Sequence, residues 1–141
     1  MDASIDLTTD QLRCLNALID TLIPPDDWPG GVDAGVVGYL VRLLRDQREL
    51  LPIYESGLDL LDLEAHAYRA WTDFHELDPS ERTELLVNLE KGVTSREWPF
   101  SPSWFLSTAV NHAAEGFYSD PGNGGNRDGV AWKMIGFEVR G

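Results

Sequence analysis

A single cysteine, Cys14, in 141 residues excludes an internal disulfide and any thiolate metal cluster built by this chain alone. Long hydrophobic runs are missing too: none approaches the roughly 18 residues of a membrane helix, so no membrane insertion is expected. Basic residues are scarce, 11 Lys and Arg against 24 Asp and Glu, which gives a formal net charge of −13. A field of that sign repels phosphate backbones and anionic lipid headgroups, so neither nucleic acid nor a membrane surface suits it as a partner. The opening, Met1-Asp2-Ala3-Ser4-Ile5-Asp6, has no basic stretch before an apolar core and reads as neither a secretory nor a twin-arginine leader. The expected location is therefore the cytoplasm, or the periplasm if a leader has been removed. Strand-period alternation of useful length is also absent.

What remains is helical. Thr8-x-x-Gln11 is a capping box, and Leu12, Leu15, Leu18, Ile19, Leu22 and Ile23 follow at helical spacing until Pro24-Pro25 stops them. Cys14 falls on this helix as a small core or interface residue, with a free or inter-chain thiol as the alternative. A second helix is expected from a cap at Asp33 to about Gln47, with Arg42, Arg45 and Arg48 on its outer side. A third, over roughly residues 52 to 75, carries Tyr54, Leu58, Leu61, Ala65, Tyr68 and Trp71 to Phe74 inward, with Glu55, Asp59, Asp62 and Glu64 on its solvent side. Asp78-Pro79-Ser80-Glu81 opens a fourth, for which Gly92 is the natural stop. Ser101-Pro102 opens a fifth that carries Trp104, Phe105 and Val110 up to about Tyr118. The expected fold is all-α, a compact bundle of four to five helices forming one domain over 1–141. Residues 1–7 read as a flexible start and 116–141 as an irregular Gly-rich arm.

Charge and aromatics are unevenly placed. Residues 1–90 hold six basic and 19 acidic side chains, whereas 91–141 hold five of each and three of the five tryptophans. Low charge with aromatic enrichment is how a partner surface tends to look, although a solvated first part and a buried last part would give the same pattern.

Templates for chemistry fail in turn. His66, His75 and His112 are dispersed and lack metal-ligand spacing, and no Glu-x-x-His pair marks a di-iron bundle. There is no Gly-x-Ser-x-Gly elbow. The abundant carboxylates read as solvated helix faces before acid/base pairs. In the arm, Gly122-x-Gly124-x-x-Arg127 breaks the dinucleotide pattern at its third glycine. Counted as a calcium loop from Asp120, it puts glycines at ligand positions and Ala131 where a bidentate glutamate belongs. Asp120, Asn123, Asn126 and Asp128 could still hold calcium irregularly, or simply cap turn amides.

The chain resembles the gluconate 2-dehydrogenase subunit 3 family. The resemblance begins at Leu7-Thr8-x6-Leu15-x2-Leu18-x2-Thr21-Leu22-Ile23-Pro24 and continues through Gly30 and Ala34-Gly35-Val36-Val37. It is most specific at Gly116-Phe117-Tyr118-x-Asp120-Pro121-x2-Gly124-Gly125-Asn126-x-Asp128 with Trp132-Lys133-x-Ile135-Gly136. Asn123, Ala131 and Glu138-Val139 depart from the family's usual tyrosine, glycine and proline-glycine. The resemblance implies a non-catalytic small subunit that binds, and stabilises or matures, a large flavoprotein of the glucose-methanol-choline oxidoreductase type acting on sugars or polyols. FAD and the catalytic base would then belong to that partner, with no cofactor, metal or catalytic residue in this chain. The expected contact residues are Trp104, Tyr118, Asp120, Asn123, Asn126, Trp132, Lys133 and Phe137. Removal of everything after Glu115 is expected to abolish co-purification with the partner. The alternative is a small all-α calcium-binding or interaction module with an unrelated partner.

Overall fold

A computed structural model describes residues 6–25 and 30–118. Among them there is no strand; five α-helices and two 3-10 turns account for the fold. The helices are α1 (Thr9–Leu22), α2 (Val36–Asp46), α3 (Leu51–Tyr68), α4 (Pro79–Glu90) and α5 (Pro102–Phe117). The expected all-α bundle is thus the observed one, and its Gly-rich arm lies outside the described residues. No described helix is long and apolar enough to cross a membrane.

The core is organised around α1, which packs against every other helix and fully buries Cys14, Leu15, Leu18 and Ile19. Its start is the expected capping box: Thr8 Oγ1 accepts from the Gln11 amide at 3.1 Å, and Gln11 Oε1 accepts from the Thr8 amide at 2.9 Å. Gln11 is itself buried and donates through Nε2 to Asp59 at 3.2 Å, so the cap also ties α1 to α3. Cys14 takes the core alternative. Burial, reinforced by nearby Asp62, pushes its thiol well above the usual range, which keeps it protonated and unreactive. Leu7, placed by sequence in a flexible start, is buried in the core, and Asp6 pairs with Arg45 at 3.0 Å.

Four sequence expectations need correction. Asp33 does not cap α2. Residues 30–35 form a turn in which the Ala34 amide reaches Gly30 O and the Val36 amide reaches Gly31 O. Gly35, at φ +86°, then stands at the cap position, and Asp33 is exposed. α3 stops at Tyr68, short of residue 75. The chain turns through Trp71, which has a φ of +63° and is 96% exposed rather than inward-facing. That reversal returns Phe74 to the core, where its amide donates to Asp62 Oδ1 at 2.9 Å. Glu64, assigned to solvent, is buried.

α4 begins and ends as its sequence dictates. Glu81 Oε1 accepts from the Asp78 amide at 2.8 Å in a capping box, and Pro79 occupies the first turn, where its missing amide proton costs nothing. At the other end, the Val93 amide donates to Asn88 O at 2.8 Å and the Gly92 amide to Leu89 O at 3.0 Å, the paired bonds of a Schellman stop. Gly92 holds φ +76° with open space where a Cβ would stand. Gly92→Ala therefore costs only backbone strain, about 1 kcal/mol. Urea denaturation is expected to show a lower midpoint with an unchanged slope.

Candidate partner face

α5 is the most aromatic and least charged helix of the bundle, and its placement starts in the preceding loop. Glu64 of α3 reaches that loop with both oxygens: Oε1 accepts from the Ser95 amide at 2.8 Å and Oε2 from Trp98 Nε1 at 3.1 Å. Trp98 is thereby pinned against Phe100 and Phe105 at ring-centroid distances of 6.1 Å. Ser101 Oγ then caps the helix by accepting from the Trp104 amide at 3.2 Å, and Pro102 supplies its first residue. Glu64→Gln leaves one carbonyl oxygen for two donors. Stability is expected to fall by about 1–2 kcal/mol, with a change in the near-ultraviolet signal of Trp98; an unchanged melting curve and spectrum would remove Glu64 from this role.

From this start α5 divides cleanly. Phe105, Leu106, Ala109, Ala113, Gly116 and Phe117 face the core. Two polar contacts hold the flank against α2 and α3: Tyr54 OH lies 2.7 Å from His112 Nδ1, and Tyr39 OH donates to Glu115 at 3.3 Å. Burial, with Glu115 nearby, pushes the Tyr54 hydroxyl well above its usual range, so it stays protonated while sharing a hydrogen bond with the His112 ring. The opposite side is solvent-facing and carries Trp104, Ser107, Val110, Ala114 and Tyr118 at helical spacing.

Trp104 is 46% and Tyr118 47% exposed, and Val110 is similarly open. No charged side chain occurs from Trp98 to Ala114. Beside this stripe runs an open groove between α5, α4 and the end of α1, lined by Leu22, Leu86, Val87, Leu106 and Val110 with Ser103, Ser107 and Glu90. A largely apolar, aromatic-flanked groove with hydroxyls and a single carboxylate at its edges, on a chain of net charge −13, has the composition of an interface centre. Two of the expected contact residues, Trp104 and Tyr118, lie on this one face. Asp120, Asn123, Asn126, Trp132, Lys133 and Phe137 lie outside the described residues, as does the whole candidate calcium segment.

Two groups of charged residues offer chemistry elsewhere. A cleft lined by Arg13, Asn16, Asp20, Asp33, His75 and Arg82 contains both guanidiniums, but each is already matched. Arg82 pairs with Asp20 at 3.3 Å and Arg13 with Asp10 at 3.5 Å, which leaves no concentrated positive field for an anion. At the corner after α3, folding gathers histidines that look dispersed in sequence. His66 Nε2 lies 2.7 Å from Asp73 Oδ1, and ligand atoms of Asp73, His75 and Glu76 fall within 4.8 Å of one another. Asp73 and Glu76 spend their contacts on each other's amides as the capping box of the turn Phe74–Glu76, and the group is open to water.

Compared with known families, the chain matches the model described as gluconate 2-dehydrogenase subunit 3 over residues 9–139. Comparison with curated proteins and with solved structures gives no match.

Proposed function

The chain belongs to the gluconate 2-dehydrogenase subunit 3 family, and we propose that it is a non-catalytic accessory subunit. In this reading it binds, and stabilises or matures, a large FAD-dependent sugar or polyol oxidoreductase of the glucose-methanol-choline type. The family makes a dehydrogenase the partner. The observation that carries the reading further is the outer face of α5, where Trp104, Val110 and Tyr118 stay in water with Glu115 as the helix's one carboxylate, on a strongly acidic chain. Leaving those aromatics exposed gains nothing in the isolated chain; covering them with a partner gains the apolar transfer energy of their surface. The groups that would perform oxidation, a flavin and its base, are assigned to the large subunit, which this chain would hold in its folded, flavin-loaded form.

In this reading the segment after Tyr118 also contacts the dehydrogenase. Its role is best tested with a chain ending at Tyr118. A cut after Glu115 would remove buried Phe117 from α5 and so confuse folding with binding. Co-expressed with a candidate large dehydrogenase subunit from the same genome, the full chain is expected to co-purify with a flavin-absorbing complex. The chain ending at Tyr118 is expected to fold but lose the partner. The full chain alone is expected to show no flavin absorbance and no turnover. Oxidation of a sugar by the isolated chain, or undiminished co-purification of the shortened one, would sink this reading.

A further inference from the structure

Trp71 bears two costs at once: its indole is 96% exposed, and its backbone sits in the left-handed region at φ +63°. A bulky residue is an outlier there, and the turn does not need it, because glycine takes the same geometry without strain. Nor is the corner loose. The Arg69 amide closes α3 on Ala65 O, and Thr72 Oγ1 donates to Ala70 O at 3.1 Å. His66 and Asp73 join across the corner at 2.7 Å, and Arg69 Nη2 donates to Glu76 O at 3.3 Å. An aromatic side chain is thus held out into water on a clamped turn, with little ordering left to do on binding.

Its surroundings are acidic. Asp73 and Glu76 belong to the same turn, while Glu81 and Glu84 of α4 are drawn to it by Arg69 at 3.6 Å and by Tyr68 OH at 2.6 Å. Those two links join the corner to α4, which also packs against α5.

We infer that Trp71 is a second anchor for the dehydrogenase subunit, entering an apolar socket on that partner whose rim carries Lys and Arg. The inference rests on the accessory-subunit reading and adds a contact to it. Charge selects the occupant: a second copy of this chain would bring carboxylates against carboxylates, whereas a basic rim is attracted by them. The indole supplies the burial, and the acidic surround sets orientation and on-rate.

The test uses the full chain and the flavin-loaded dehydrogenase, with Kd and melting temperature measured for Trp71→Gly, Trp71→Phe and Trp104→Ala. Trp71→Gly is expected to weaken binding at least tenfold, with a melting temperature equal to or a few degrees above the original because backbone strain is relieved. Trp71→Phe is expected to retain most of the affinity, and added salt is expected to weaken the unaltered pair. Wild-type affinity in Trp71→Gly beside a weakened Trp104→Ala would overturn this inference and leave the accessory role standing. A melting temperature that falls with the affinity of Trp71→Gly would make Trp71 structural and overturn it as well. No binding by the unaltered chain would overturn the accessory reading and this inference together.

Discussion

Gly57→Ala is expected to destabilise the bundle by about 2 kcal/mol, against the usual sign for glycine-to-alanine inside a helix. At an open helical site the exchange gains roughly 1 kcal/mol, because alanine loses less backbone freedom on folding. At residue 57 a Cβ would stand 2.2 Å from Phe105 Cε1 and 2.3 Å from its Cζ. The ring must move, and its neighbours prevent it. Tyr54 meets it edge-on at 5.8 Å, Phe100 stacks at 5.8 Å and Trp98 lies at 6.1 Å, with Phe105 fully buried among them. Overpacking of a rigid aromatic cluster costs about 1–3 kcal/mol and sometimes more, which outweighs the propensity gain. Phe105→Leu should rescue part of the loss when combined with Gly57→Ala, a non-additivity expected only of residues in contact. Chemical denaturation of the two single variants and the double variant measures it. A Gly57→Ala chain as stable as the original would mean that α3 and α5 do not approach this closely.

Trp104→Ala is expected to weaken the complex with the dehydrogenase by at least 2 kcal/mol, about thirtyfold in Kd, while costing the isolated chain under about 1 kcal/mol. The two numbers separate because nearly half of Trp104 is in water, while its inner part meets Phe100 edge-on at 5.7 Å. Its exposed part is the surface that the proposed partner would cover. Val110→Asp should act in the same direction through a different cause. It places an unpaired carboxylate in the middle of an uncharged stripe, and burying that charge against a partner is costly. Isothermal titration with the flavin-loaded large subunit gives the affinities, and thermal melting of the free variants gives the control. Equal losses in both measurements would mean a folding defect rather than a lost contact.

Local chemistry was readable in the sequence and distant chemistry was not. Thr8-x-x-Gln11, Asp78-Pro79-x-Glu81, Ser101-Pro102 and Gly92 act on amides within five residues, so spacing alone placed the ends of α1, α4 and α5. Asp33 misled because the competing device, the turn closed by Gly30 and Gly31 O, depends on how that segment packs on the end of α1. Glu64 looked solvent-facing because its partners, the Ser95 amide and Trp98 Nε1, come from about thirty residues away. Trp71 continued an apolar pattern that suggested helix, and only the reversal after Tyr68 turned it outward. The neutral, tryptophan-rich end of the sequence pointed to α5, since the uncharged run around Trp104 is visible without coordinates. Which half of that helix is buried, and that Val87 of α4 borders the same groove, required the packing.

The central claim is that the outer face of α5 is covered by a dehydrogenase subunit, and hydroxyl-radical footprinting of the free chain and the assembled complex tests it most directly. Trp104 and Tyr118 should be oxidised readily in the free chain and several-fold more slowly in the complex, with the buried Phe105 slow in both. Equal oxidation of Trp104 and Tyr118 in the two states would show that the dehydrogenase binds elsewhere, and would contradict the account.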